Sequence, residues 1–87
     1  MAIRLLGAQA ALGVGTGNGS NFSNASAVRV VNPSGTNYVV SVETSANVLL
    51  GSFTLCAGES EIIHKGTSDE IFAANAAVLG AAVGYSH

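Results

Sequence analysis

Short runs of apolar and β-branched residues, separated by turn residues, dominate the chain from residue 27 onward. The runs are 27–32 (AVRVVN), 38–43 (YVVSVE), 48–55 (VLLGSFTL), 60–65 (SEIIHK) and 78–85 (VLGAAVGY). Valine, isoleucine and aromatic residues in runs of this length are typical of β-strands. Short strands with turn signals about every 8–12 residues predict a small β-sandwich or barrel.

The alternation within 38–43 predicts which side chains face the core. Tyr38, Val40 and Val42 share one face, and Val39, Ser41 and Glu43 share the other. Successive side chains of a strand point to opposite faces, so the first set is the better core candidate. The connection 32–37 (NPSGTN) is rich in turn residues, and it predicts a β-hairpin between the runs 27–32 and 38–43.

Residues 67–79 (TSDEIFAANAAVL) carry a different signal. Thr67 and Glu70 have the spacing of a capping box, and Asp69 adds a second acidic residue where a helix begins. Alanine-rich sequence follows, so we expect a short helical turn near 68–75. The predicted fold is therefore mainly β: a small antiparallel β-sandwich or barrel with one short helical turn and a Gly-rich N-terminal arm.

The first 26 residues lack a regular hydrophobic period. Residues 2–6 (AIRLL) predict a strand or an anchoring segment, and 7–26 are rich in Gly, Ala, Ser and Asn. We interpret 1–26 as an extended or poorly ordered arm and 27–87 as the β domain. On this interpretation, deleting residues 1–24 leaves a folded monomer and weakens assembly.

Glycine occupies every second position from Gly13 through Gly15 and Gly17 to Gly19. A phosphate-binding P-loop needs a lysine after its last glycine, and no lysine precedes Lys65. The dinucleotide fingerprint needs a third glycine at a position held here by Asn18 or Ser20. The pattern therefore predicts no nucleotide site. The glycines either belong to the arm or lie along one face of a strand that another backbone approaches closely.

Charge is scarce. Charged residues make up 9% of the chain, against about 25% in an ordinary protein. Either the protein is a small neutral domain covered with Ser, Thr and Asn, or identical copies or a larger partner cover much of its surface; we favour the second interpretation. The net charge of −2 and the scattered basic residues argue against nucleic acid as a partner. No apolar run approaches the roughly 20 residues that span a bilayer, so we expect no membrane partner.

The residues that usually carry catalysis do not form a recognisable set. The chain has no nucleophile elbow of the G-x-S-x-G type, and strand alternation puts Glu61 on the face opposite His64. Glu59 and Glu61 share a face, but two carboxylates are too few for a dedicated calcium site without carbonyl ligands. Cys56 has no basic neighbour to activate it. We expect no enzyme activity, no cofactor and no metal site.

Residues 27–87 resemble the small structural proteins encoded by tailed phages of marine cyanobacteria. The stretches that carry the resemblance are 28–32 (VRVVN), 38–43 (YVVSVE), 51–55 (GSFTL), 59–65 (ESEIIHK), 69–75 (DEIFAAN), 78–79 (VL) and 83–85 (VGY). The resemblance does not include the N-terminal arm. It implies a virion component, a small β domain that binds a lattice or forms part of one.

From the resemblance we expect a capsid decoration or cement protein located in the virion. Its partners would be further copies of itself, the major capsid protein or another virion protein. The alternative is a tail- or fibre-associated module that binds a host-surface carbohydrate, for which Tyr85 would be the main stacking residue. The interface candidates are Gly13, Gly15, Gly17, Gly19, Phe22, Arg29, Glu59, Glu61 and Tyr85.

Overall fold

The structure is a computed structural model that describes the backbone of residues 2–86 and the side chains of residues 4–84. Within this part of the chain it contains nine strands and no helix. The strands are β1 (Ala2–Leu5), β2 (Ala10–Ala11), β3 (Gly13–Val14), β4 (Ala27–Val31), β5 (Tyr38–Glu43), β6 (Leu49–Leu55), β7 (Ser60–His64), β8 (Glu70–Ala73) and β9 (Leu79–Ser86).

The strands form two sheets. The five-stranded sheet has the order β1-β9-β4-β7, with β2 also pairing with β9, and the four-stranded sheet has the order β3-β8-β5-β6. Every pair is antiparallel except β3–β8, which is parallel. The predicted mainly-β fold with predominantly antiparallel sheets is therefore confirmed.

One hydrophobic core lies between the two sheets. It is formed by Leu12, Val28, Val30, Val40, Leu55, Ile71, Ala73 and Val78, all essentially inaccessible to solvent. Tyr38 and Val42 pack against this cluster. The alternation of strand β5 thus predicted its core-facing side correctly, because side chains two positions apart share a face.

The predicted helical turn near 68–75 is wrong, because Glu70–Ala73 is strand β8. Asp69 belongs to a tight turn instead: its carboxylate accepts the Gly66 N–H at 3.0 Å, and its own N–H donates to the Gly66 carbonyl. Ile71 and Ala73 are buried while Glu70 and Phe72 are half-buried, which is the two-residue period of a strand. Pairing with β5 outweighs the helix propensity of a segment this short.

The predicted hairpin between the runs 27–32 and 38–43 is also wrong. Strand β4 lies in the five-stranded sheet and β5 in the four-stranded sheet, so the connection 32–37 crosses from one sheet to the other. The hairpin partner of β5 is β6. Alternation could not distinguish the two arrangements, since each buries one apolar face of both strands.

Residues 2–26 contribute strands to both sheets. Strands β1 and β2 pair with successive parts of β9, and β3 pairs with β8. Between β2 and β3, Leu12 is only 1% exposed and belongs to the core. This segment is therefore extended, and it is held by both sheets rather than projecting from the β domain.

Candidate functional site

Strand β6 lies at the end of the four-stranded sheet, so one of its sides has no neighbouring strand among the described residues. Residues 48–55, which we call the β6 edge, are all exposed except Leu55, and they are unusually apolar for such a position. Val48, Leu49 and Leu50 are 56–60% exposed, and Phe53 is also exposed. Val39, on the adjacent strand β5, is also exposed.

Charge does not protect this edge. Between Glu43 and Glu59 the chain has neither a charged residue nor a proline. At the end of the other sheet, strand β7 carries Glu61 and is flanked by Glu59 and Lys65. Charges, prolines and bulges are the usual devices that keep edge strands from pairing with other chains. The β6 edge has only an irregularity in its pairing with β5, between Val42 and Glu43.

The Gly-rich segment lies against the four-stranded sheet. Gly15–Asn18 forms a turn in which the Asn18 N–H donates to the Gly15 carbonyl at 3.2 Å. Gly17 has a φ of +85°, and its N–H donates to the Glu43 carboxylate at 3.0 Å. At Gly13 a Cβ would come within 1.5 Å of the Asn18 carbonyl oxygen, so only glycine fits there. Gly13 therefore allows two backbone segments to approach closely, and Gly17 allows the turn.

Two further interface candidates, Phe22 and Gly19, pack against other parts of the same molecule. Phe22 is half-buried against the core, and its ring and Leu12 occupy the space that a side chain on Gly80 would need. Gly19 lies against strand β8, where a Cβ would come within 3.0 Å of the Glu70 Cβ. Gly15 adopts a φ of +84° beside open space. These positions are explained by packing and turn geometry.

The remaining interface candidates lie elsewhere. Arg29 is half-buried in the middle of β4, between Ile62 of β7 and Ala81 of β9. Glu59 and Glu61 are both exposed. The side chain of Tyr85 lies outside the described residues. The structure thus does not bring the eight candidates with described side chains together into one surface.

Lys65, which follows strand β7, forms hydrogen bonds with the loop before β4. Its ammonium donates to the carbonyl oxygens of Ala25 at 2.6 Å and Asn21 at 3.0 Å. Burial lowers the pKa of Lys65, while the nearby Asp69 carboxylate acts in the opposite direction. This lysine is therefore a structural cation that satisfies backbone carbonyls.

Cys56 is an exposed thiol beside the turn that precedes β7. A hydrogen bond with Glu59 and the negative charge of that residue raise the pKa of the Cys56 thiol. A raised pKa reduces the thiolate fraction, and the thiolate is the nucleophile. The surroundings of Cys56 therefore make it less reactive.

A shallow cleft of about 140 Å³ lies near the N-terminal segment. It is lined by Leu6, Gly7, Ala8, Phe22, Ser23 and Ala82. None of these side chains titrates near neutral pH, so the cleft offers no group for acid–base chemistry. Across the described part of the chain, no three His, Cys, Asp or Glu side chains converge to hold a metal. Residues 2–86 also contain no helix long and apolar enough to cross a membrane.

Sequence reasoning missed three buried polar residues, Asn32, Ser41 and Glu43. Asn32 is fully buried within the predicted turn, and Glu43 is 1% exposed although it lies on the face of β5 away from the core. The Gly-rich segment covers Glu43, and its contact residue Gly17 lies 26 positions away in the chain. A local sequence pattern cannot predict such a long-range contact. The apolar run 48–55 was visible in the sequence, whereas its position at a sheet edge was not.

Comparison of the chain with protein-family models, with curated proteins and with solved structures gives no match in any of the three.

Proposed function

We propose that this protein is a structural component of a phage virion, a capsid decoration or cement protein that joins other copies of itself through the β6 edge. The resemblance of residues 27–87 to cyanophage structural proteins supplies the setting. The low charge content, 9% of residues, supports a surface that is covered in the assembled particle.

The observation that carries the proposal is the β6 edge itself. An edge strand presents a row of N–H and C=O groups that another strand can pair with. Here that row is flanked by Leu49, Leu50 and Phe53, all exposed. Backbone pairing would supply affinity, and the apolar side chains would remove further surface from water.

A second copy is the occupant that fits this edge best. The run 44–58 contains no charge, so two such edges brought together face no electrostatic repulsion. A two-fold axis places the same patch on both subunits, and antiparallel pairing of β6 with itself has that symmetry. At Gly51 a side chain would meet nothing within 4 Å, which leaves space above the middle of the strand. The partner's Phe53 ring can cover an edge glycine in such a pairing.

Sedimentation velocity over a concentration series tests the proposal. We expect the wild-type protein to form a dimer or a larger closed oligomer at micromolar concentration. Ser52→Lys places a charge in the middle of β6 and, in a symmetric dimer, brings two like charges together. We expect it to raise the dissociation constant about tenfold or more.

Ser45→Lys is the matched control, because it adds the same charge at an exposed serine in the turn before β6. It should associate like the wild type. A wild-type protein that stays monomeric at every concentration would overturn self-assembly through this edge, and so would equal weakening by both lysines.

A further inference from the structure

The carboxylate of Glu43 is buried without full compensation. Glu43 is the last residue of β5 and is 1% exposed. One carboxylate oxygen, Oε1, accepts the Gly17 N–H at 3.0 Å. The other, Oε2, is shielded from solvent and has no hydrogen-bond partner among the described residues. A buried ionised carboxylate is costly unless it is paired, hydrogen-bonded or bound to a metal.

A second carboxylate lies directly across from Glu43. Glu70 of β8 is its cross-strand partner, and the two side chains share the face of the sheet turned away from the core. The adjacent pair Val42 and Ile71 points into the opposite, core-facing side. Directly opposed residues have Cβ atoms only about 4.5–5.5 Å apart, and like charges there destabilise the pair. Glu70 is itself half-buried, so water screens that repulsion incompletely.

Among the side chains that the structure describes, no arginine or lysine is paired with these carboxylates. Arginine and lysine together number three. Arg4 and Arg29 lie on β1 and β4, in the other sheet. The Lys65 ammonium is occupied by the carbonyl oxygens of Asn21 and Ala25. Apart from protonation, the group that would neutralise this pair of carboxylates is a cation from outside the protein.

The Gly-rich turn covers this pair of carboxylates. Gly17 contacts Glu43 through its N–H, and Gly19 lies against the Glu70 side chain. With no side chain at these positions, the backbone can approach the carboxylates closely, as the Gly17 N–H does. Carboxylates, carbonyls and water are the oxygen ligands that hard cations prefer.

We propose that Glu43 and Glu70 bind a divalent cation of the calcium class beneath the Gly-rich turn 15–19. Calcium fits better than zinc or copper because the two acidic side chains offer oxygen rather than nitrogen or sulfur. It also fits better than magnesium, since it tolerates irregular coordination whereas magnesium demands a near-octahedral shell. Only two carboxylates contribute, so backbone carbonyls and water complete the shell. We expect a dissociation constant of about 10⁻⁴–10⁻³ M, the range of weak calcium modules.

Thermal unfolding of the full chain tests the site, after treatment with a chelator and titration with calcium chloride. The melting temperature of the wild type should rise saturably, by about 5 °C or more at tenfold excess over the dissociation constant. Magnesium should raise it less. Glu70→Gln keeps the size of the side chain, removes one charge and should abolish the calcium response.

Glu61→Gln is the matched control, because it removes an exposed carboxylate in the other sheet. It should respond to calcium like the wild type. Glu43→Gln should also lose the response, because it removes the other carboxylate of the pair.

Isothermal titration calorimetry with calcium alone gives a direct second readout. One site per chain in the wild type, lost in Glu70→Gln, supports the proposal. A wild-type protein with no calcium heat and no thermal shift at 10 mM, on the order of ten times the weakest expected constant, would overturn it. An equal response in wild type and Glu70→Gln would do the same. These outcomes do not depend on the oligomeric state, so the site and the β6 assembly surface are tested separately.

Discussion

Asn32 is the most heavily hydrogen-bonded polar side chain of the loop that crosses between the sheets. Its Nδ2 donates to the carbonyls of Thr36 at 2.7 Å and Leu55 at 2.9 Å, and its Oδ1 accepts from the N–H and hydroxyl of Ser34. Its backbone also bonds to the turn before β7, through Gly58 and Glu59. One fully buried side chain thus ties the crossing loop to strand β6.

We expect Asn32→Ala to lower the free energy of unfolding by about 2–4 kcal/mol, because it leaves buried polar groups without their partner. Urea unfolding monitored by circular dichroism measures the change. Asn37→Ala, in the same loop, is the control: it removes one exposed hydrogen bond, to the Ala57 N–H, and should cost about 1 kcal/mol or less. Equal losses in the two variants would contradict a special role for Asn32.

Single residues also show how far the sequence predicted the candidate cation site. Alternation placed Val40 on the core side of β5 and Glu43 on the other side, and both placements hold. Alternation cannot predict that another segment packs over the face of β5 that carries Glu43. That cover depends on Gly17, whose contact with Glu43 is long-range. A periodic pattern reports local geometry alone, so it predicts the orientation of a residue and leaves its burial open.

Among the elements, the strands with β-branched residues were predicted to within a residue or two. The run 38–43 matches β5, and 27–32 matches β4 except for its last residue. Predictions failed where pairing partners decide the outcome. Segment Glu70–Ala73 has helix-favouring neighbours and becomes a strand because β5 lies beside it. Sheet assignment of β4 and β5 failed for the same reason, since strand partners come from distant parts of the chain.

The short strands β2 and β3 bring Leu12 into the core, which gives an element-scale prediction. Leu12 is 1% exposed, whereas Leu5 of β1 is 71% exposed. Leu12→Ala should lower the free energy of unfolding by about 2–5 kcal/mol through the cavity it leaves. Leu5→Ala, the same change in the same N-terminal segment, should alter it by no more than about 0.5 kcal/mol.

Chemical denaturation of the two variants side by side measures this difference. Small, similar effects would mean that the N-terminal segment does not pack in the core, and would favour its interpretation as a free arm.

At the scale of the whole molecule, the radius of gyration is 11.9 Å. About 12 Å is expected for a compact chain of this length, so residues 2–26 do not extend away from the rest. A chain of 87 residues buries a modest fraction of its surface, so the loss of a few core residues strongly reduces its stability. The N-terminal segment supplies Leu12 to that core and packs Phe22 against it.

This placement changes the expected result of deleting residues 1–24. The sequence alone suggested a folded monomer with weakened assembly. Because the deletion removes β1, β2 and β3 together with Leu12 and Phe22, we now expect loss of the cooperative unfolding transition. Deleting only residues 1–6 removes β1 and leaves Leu12 in place, so that variant should keep a cooperative transition at reduced stability. Circular dichroism during heating distinguishes the two. If the longer deletion still melts cooperatively, the segment is dispensable for folding, and its role belongs to assembly as the sequence suggested.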